Sequence, residues 1–475
     1  MSNSHAAAMK FSSAEAYLPD DPQTGRADTS FRIGLYLEHL EEASFLYEQR
    51  RDVLLDDPEL AWRDLDEYEE RIEAHLDALV LGEDLALAVC RQKTVEGDAG
   101  ELYAAMCVFC RQEHKDLLGE VLDALDADDE ERMLAVRDAL AAELPEAWED
   151  HVIGWLSHDE EWRRRVAVHI IGYRRLVASE YLLDALAKAA TPKESADLLW
   201  ALGRVGSDDT RASLWKCLVH EDDATRNEAA LALLRFGGAQ VVKRLSADLK
   251  ASGAMRLLAI SGGAEHWVPM QEHLVASGPT LDGLLALGLL GAPESVESLI
   301  YHLQAPEFAE ASALSLHLLT GSALTEEVFV PEEMDEDELF EDELEAYRQG
   351  ELPKRPDGEP YGETIERLAQ DPAVWEAWWE SNKGRFQSGF RYRLGEPCTP
   401  LSLVRTLQAE WVPRWVRQLA FEELVIRYSI NAHFESDMRV VEQQRAIADM
   451  ERQAVQLGKE VRPGRWYFDG RLIES

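Results

Sequence analysis

Cysteine and histidine residues lie close together in one short stretch of the sequence. Cys107 and Cys110 are three residues apart in "CVFC", His114 follows them, and Cys90 precedes them. A Cys-x-x-Cys pair is a common half of a tetrahedral zinc site. This pair, however, lies inside an apolar helical pattern, in which residues three apart share the buried face. The spacing therefore favours two core cysteines, and we predict no metal and no other cofactor.

A second polar stretch, "RIEAHLDAL", contains Arg71, Glu73, His75 and Asp77. Glu73 and Asp77 are four residues apart and share one face of a helix, whereas His75 points elsewhere. Because no nucleophile or metal ligand accompanies them, we prefer an interhelix polar network to a catalytic cluster. The sequence also has no phosphate-binding glycine loop, no His-Glu-x-x-His motif and no serine elbow. No catalytic residue is therefore predicted.

Aromatic residues cluster towards the C-terminal end of the sequence. Trp375, Trp378 and Trp379 are spaced to form one stripe on a helix, and Arg391 and Tyr392 follow. Trp, Tyr and Arg dominate the binding energy of protein interfaces. An array of stacked helices, however, also needs a closing element at its end. The sequence favours such a cap and leaves a partner-binding surface open as the alternative.

Acidic residues are unevenly distributed along the 475 residues, whose net charge is −43. Residues 31–150 hold 34 acidic and 11 basic residues, and twelve of the twenty residues from 326 to 345 are acidic. Such a field repels nucleic acid and anionic membranes and attracts basic proteins. We therefore expect a basic protein as partner, with no nucleic acid and no membrane; solubility alone is the alternative. The acidic residues predicted to contact the partner are Asp335, Glu336, Asp337, Glu338, Glu341 and Asp342.

An 18-residue pattern begins at residues 201, 232, 257 and 286, with glycine at its sixth position and leucine at its eighteenth. The glycines are Gly206, Gly237, Gly262 and Gly291. Each copy indicates a helix, a short turn and a second helix, with glycine as a left-handed C-cap. Such pairs bury their apolar stripes only by stacking, so the pattern predicts an all-α solenoid. The period resembles that of short HEAT repeats, of the type also seen in phycobilin lyases.

Composition and periodicity divide the chain into five predicted segments. They are a disordered tail (1–30), an acidic helical N-terminal domain (31–145), HEAT-like repeats (146–322), an acidic linker (323–360) and a Trp-rich helical C-terminal cap with a terminal hairpin (361–475). The tail lacks the pattern of a signal peptide, and no apolar run reaches the roughly 18 residues of a membrane span. We therefore expect a cytoplasmic protein of a bacterium.

Four stretches resemble the signatures of an uncharacterised bacterial HEAT-repeat family. "EERIEAHLDALVLGED" at 69–84 and "GELYAAM" at 100–106 resemble its N-terminal signature. "LSLHLLTGSAL" at 314–324 and "WEAWWESNKGRFQSGFRYRLGEP" at 375–397 resemble its C-terminal signature. Members of that family are often encoded in type VI secretion loci.

This resemblance implies a non-enzymatic scaffold that binds and neutralises a cognate toxin, as an immunity protein does. The alternative that it implies is an adaptor that loads an effector onto the secretion spike. A third interpretation, which rests on the repeat type alone, is an enzyme of the lyase type that acts on a prosthetic group.

Overall fold

A computed structural model describes residues 26–56, 61–332, 347–348, 354, 358–410 and 412–474. The chain forms two compact units. The first unit contains the chain up to Val241 together with 404–459 and 468–470, and the second contains 242–403, 460–467 and 471–475. Each unit therefore combines successive helical layers with segments from the C-terminal end of the sequence.

Helices α1 to α12 belong to the first unit. They are Arg26–Asp56, Leu65–Leu81, Glu83–Glu96, Ala99–Arg111, Lys115–Ala124, Glu130–Glu143, Glu149–Gly154, Glu161–Arg174, Ser179–Leu186, Pro192–Val205, Arg211–Cys217 and Asp223–Arg235. Near the C-terminus the same unit contains α21 (Arg414–Tyr428) and α22 (Val440–Leu457).

Helices α14 to α19 belong to the second unit. They are Ala254–Ser261, Trp267–Ser277, Leu281–Leu290, Val296–His302, Pro306–Thr320 and Pro372–Asn382. Two further helices, α13 (Gln240–Ala247) and α20 (Pro400–Gln408), cross the boundaries between the units along the chain.

Short polar residues begin several of these helices. The Asp98 carboxylate accepts a hydrogen bond from the backbone N–H of Glu101 (2.7 Å), and the Glu101 carboxylate accepts one from the N–H of Asp98 (3.1 Å). This reciprocal pair is a capping box, which satisfies two N–H groups that a helix start leaves without partners. Asp222 caps α12 through the N–H of Thr225, and Thr191 caps α10 just before Pro192.

Alternate helices stack on one another and carry the core. In the first unit α4, α6, α8, α10 and α12 pack in this order, and in the second α14, α16 and α18 do so. We call these eight the core helices. Helix α4 is buried along almost its whole length, including Cys107 and Cys110. The described residues therefore form the all-α solenoid that the sequence predicts.

The four repeated glycines divide into two kinds. Gly237 and Gly291 have φ values of +74° and +72°, which favour glycine. Gly206 and Gly262 instead have φ values of −70° and −84°, so the left-handed C-cap predicted for them is wrong. A Cβ at Gly206 would lie 2.5 Å from the carbonyl oxygen of Leu202, so close approach is the reason for glycine there.

An antiparallel ribbon pairs a strand in the predicted acidic linker (323–360) with a strand at the start of the predicted C-terminal cap (361–475). Strand β1 (Thr325–Pro331) pairs with β2 (Gly362–Leu368), and Val328 lies opposite Ile365. The sequence interpretation missed both strands, because neither "TEEVFV" nor "ETIERL" has the strict alternation of apolar and polar residues that marks a half-buried strand. The six acidic residues predicted to contact a partner, 335–338 and 341–342, lie outside the described residues.

Two tight hairpins complete the C-terminal part. Strands β3 (Tyr392–Arg393) and β4 (Glu396–Pro397) flank Leu394 and Gly395, both of which have positive φ. Strands β5 (Tyr467–Phe468) and β6 (Arg471–Leu472) flank Asp469 and Gly470, which also have positive φ. Positive φ at both central residues is the geometry of a two-residue type I′ turn.

The tryptophan stripe lies on α19, which packs against α17 in the second unit. Trp375 is 1% exposed, and its indole N–H donates to the carbonyl oxygen of Ala369 (2.7 Å). Trp379 is also buried, whereas Trp378 is only half-buried. The helix therefore covers the last outer helix of the repeats, as a closing element does.

We predict that Trp375→Ala destabilises the protein by about 3–5 kcal/mol, because it removes a fully buried indole and leaves a cavity. Trp378→Ala is the matched control, since its half-buried ring loses less packing. Thermal unfolding followed by circular dichroism measures both. Equal melting temperatures for the two variants would contradict the packing role of Trp375.

Candidate functional site: arginines at the ends of the core helices

Arginines lie at the C-terminal ends of three successive core helices in the first unit. Arg175 follows α8, Arg204 lies in the last turn of α10, and Arg235 ends α12. They are 29 and 31 residues apart, which is the spacing of the repeats. Cations are favourable at helix C-termini, where carbonyl groups lack partners. We call these three residues the arginine ladder.

Two carboxylates near the C-terminal end of the chain bind the arginine ladder. Arg204 donates from Nε and Nη2 to the two carboxylate oxygens of Glu435, at 2.7 and 2.8 Å. Arg175 donates from Nη2 to Glu435 Oε1 at 2.6 Å. Arg235 pairs with Glu422 of α21, and the Gln418 amide donates to both carboxylates. The three layers are thereby tied to one segment, residues 418–435.

Burial makes these ion pairs strong structural constraints. Arg204, Glu422 and Glu435 are almost inaccessible to solvent. Burial alone would raise the pKa of Glu435, but the guanidinium groups of Arg204, Arg175 and Arg235 outweigh it and lower the pKa to about 2. The Arg204 guanidinium also lies 4.1 Å from the ring centroid of Trp200. The three arginines and the two glutamates all have ion-pair partners, so these ion pairs fix the structure of the first unit.

A second, partly buried cluster of opposite charges lies near the start of the first unit. The Arg111 guanidinium donates to Glu73 at 2.6 Å and to Glu143 at 2.8 Å. Arg439 donates to the same two carboxylates at 3.1 and 2.7 Å. Glu73 therefore belongs to the interhelix polar network predicted from the sequence, and Asp77 joins it through Arg111.

In the second unit, carbonyl groups near the C-terminal ends of the core helices accept hydrogen bonds from residues 391–395 and Trp466. Arg391 donates from Nε to the carbonyl of Leu290 (2.8 Å) and from Nη2 to the carbonyl of Ala259 (3.0 Å). The N–H of Leu394 donates to the carbonyl of Leu318 (2.7 Å). The Trp466 indole N–H donates to the carbonyl of Ser261 (2.9 Å). Residues of α14, α16 and α18 thus receive donors from one C-terminal region.

The residues predicted to bind a partner are placed differently from one another. Trp375, Trp379, Arg391 and Tyr392 belong to the second unit and are buried. Trp378 is half-buried, 6.3 Å from the ring of Phe386. The role of this set in binding a partner stays a prediction.

The sequence interpretation missed the arginine ladder. Arg204 and Arg235 both occupy the fourth position of the repeated pattern, two residues before its glycine. A basic residue in the last turn of a helix is an ordinary capping signal. Its recurrence in the repeats therefore does not by itself indicate a buried ion-pair cluster. The acceptors, Glu422 and Glu435, lie about 200 residues away along the chain and have no local signature.

Among the described residues, no three His, Cys, Asp or Glu side chains gather as a metal site would require. None of the helices in that same part of the chain has the length and apolar character needed to cross a bilayer. A small cleft of about 300 Å³ lies beside α9 and is lined by His158, Arg164, Tyr181 and Lys188, among others. Arg164 already pairs with Glu194 there (2.7 Å).

We predict that Glu435 stabilises the fold only above acid pH. Its folded pKa lies below the value of an unfolded glutamate, so its contribution is complete above about pH 4.5 and is lost as pH falls towards 2. Glu435→Gln should therefore lower the free energy of unfolding by on the order of 3 kcal/mol at pH 7, and by much less at pH 2.5. Urea denaturation at a series of pH values measures this difference.

The control for this experiment is Glu442→Gln, which changes an exposed carboxylate of α22. Its effect should be small at every pH, since exposed charges contribute little. A difference between wild type and Glu435→Gln that stays constant from pH 7 to pH 2.5 would contradict the assigned ion pairs.

Comparison with known families identifies the repeats. Residues 179–260, from α9 to α14, match the family model of HEAT repeats. No curated protein matches the chain. The chain is thus an all-α solenoid that carries HEAT repeats over residues 179–260.

Proposed function

We propose that this protein is a non-enzymatic scaffold that binds a basic protein. HEAT-repeat proteins are typically scaffolds for protein interactions, and stacked repeats expose extended binding surfaces. The observation that carries the choice of a basic partner is the acidity of the exposed faces of the N-terminal helices.

A dense acidic surface lies on α5, α6 and the turn between them. From Asp116 to Glu131 the sequence has no basic residue. Arg91 and Arg163 pair with two of the carboxylates in this stretch, Glu120 and Asp123. The exposed carboxylates are Asp116, Glu120, Asp123, Asp126, Asp128, Glu130 and Glu131. A surface of this kind steers a positively charged protein towards it and speeds association.

The C-terminal segment restricts where a partner can bind in the first unit. It already occupies the arginine ladder, whose side chains are buried. The outer helices and the acidic N-terminal helices remain accessible. We therefore assign partner binding to these faces and to the acidic insert, residues 335–338 and 341–342, that the sequence singles out.

The finer proposal is an accessory role in a type VI secretion effector module, as an immunity protein that neutralises a cognate toxin in the cytoplasm. It rests on the resemblance of four stretches to a family found in such loci, and on the acidic surface suited to a basic toxin. The alternative is an adaptor that carries an effector to the secretion spike. Nothing in the described residues favours the third interpretation, an enzyme acting on a prosthetic group.

Co-expression with the products of neighbouring genes distinguishes the two roles. An immunity protein should form a complex with one such product and restore growth of cells that express it. An adaptor should leave that toxicity unchanged, and its deletion should abolish export of the effector. Absence of both a complex and a phenotype for every neighbouring gene product would overturn the proposal.

We predict that replacing Asp335, Glu336, Asp337 and Glu338 together with Ala slows association with that partner several-fold at low salt. Exposed charges act over about 8 Å at physiological ionic strength, so the difference should shrink at high salt. The melting temperature should stay unchanged, because the sequence predicts a solvated acidic run here, and solvated charges add little stability. Surface-binding kinetics at two salt concentrations measure the effect.

The matched control removes four exposed carboxylates from the repeats, Glu272, Glu297, Glu307 and Glu310. This variant has the same net charge as the insert variant. Equal association rates for the two variants would show that only total charge matters, and the insert would then be a solubilising segment.

A further inference from the structure

Within the described residues, strand β1 pairs along one edge only. It pairs with β2 along its whole length, from Thr325 opposite Leu368 to Pro331 opposite Gly362. Among the described strands, none pairs with its other side. Strand β2 is the one that lies against α18, so β1 is the outer strand of the ribbon. An outer strand presents a row of backbone N–H and C=O groups on which another strand can add.

The two faces of the ribbon differ in how their charges are paired. On the inner face Glu326 pairs with Arg367 across the strands at 2.9 Å. On the outer face Glu327 lies directly opposite Glu366, and both are exposed. Within the part of the chain that the structure describes, no basic side chain lies within ion-pair distance of either carboxylate. Like charges opposite each other destabilise a strand pair, so this face is short of positive charge.

Apolar side chains accompany these carboxylates at the far end of the ribbon. Phe329 is 39% exposed and Val330 is 40% exposed. Phe329 shares the outer face with Glu327, because alternate residues of a strand point the same way. The outer face of β1 therefore presents an acidic position followed by an aromatic one.

We propose that the edge of β1 binds an extended basic segment of a partner protein, which adds as a third strand with lysine or arginine beside Glu327 and an apolar residue beside Phe329. This inference rests on the proposed function in taking the partner to be basic. A second copy of this chain is a poor occupant, because its own acidic β1 would repel this one. Charges on an edge strand also protect it against pairing with the strands of other proteins. Here the negative charges select a partner segment of positive charge.

A synthetic peptide of eight residues, alternating lysine and valine, tests this inference without the natural partner. Addition as a strand should slow hydrogen exchange of the amides of residues 325–331 in the full-length protein. A second peptide of the same length and charge, with proline in place of alternate valines, lacks the N–H groups needed to pair. It should leave these amides unprotected even if the acidic surface attracts it.

The variant Glu327→Lys should weaken binding of the lysine–valine peptide about five-fold. The control Glu376→Lys makes the same charge change at an exposed position of α19 and should change binding less than two-fold. Both variants should melt as the wild type does. Failure of the peptide to protect β1, or equal binding by the two variants, would overturn the proposal and leave an edge that is merely protected by charge.

The natural partner separates this inference from the proposed function. If a partner binds and Glu327→Lys does not affect it, the scaffold function stands and the β1 edge is not its site. If no partner is found while the peptide protects β1, the edge is competent and the assigned partner class is wrong.

Discussion

Buried ion pairs between the arginine ladder and Glu422 and Glu435 are the constraint on which the first unit depends. The last carbonyl groups of a core helix need hydrogen-bond donors. An arginine at that end supplies donors, but its buried positive charge must in turn be paired with a carboxylate. Removing one partner of a buried pair leaves an uncompensated charge, which costs about 3–5 kcal/mol. Three layers share two carboxylates, so each layer is fixed through the same segment of chain and the layers are coupled.

In the second unit, the last carbonyl groups of the core helices also receive hydrogen-bond donors, but fewer of these donors are charged. Its core helices end in Ser261, Leu290 and Thr320, and donors from residues 391–395 and Trp466 approach their last turns. Arg391 there donates to carbonyl oxygens of two different layers. In both units, therefore, the C-terminal part of the chain is a component of the repeat stack.

The helical solenoid could be predicted because the features that make repeats stack are local in sequence. They are apolar stripes, helix caps and glycines at a regular spacing. The burial of Cys107 and Cys110 followed from the same periodicity. The β1–β2 ribbon was missed because β1 lies in an acidic stretch taken as a linker, and because neither strand has the strict alternation of apolar and polar residues that marks a half-buried strand. The arginine ladder could not be found in this way, because Arg204 and Glu435 are 231 residues apart. Only the fold brings them together.

The most direct test of this account is hydrogen exchange of a variant in which the central pair is lost, Arg204→Met with Glu435→Met. If the ladder couples the layers to the C-terminal segment, the ends of α8, α10 and α12 and residues 430–440 should lose protection together. The second unit, which does not use this pair, should exchange as in the wild type. A loss of protection confined to α10, with α8, α12 and residues 430–440 unchanged, would contradict the claim that these ion pairs hold the layers to the C-terminal segment.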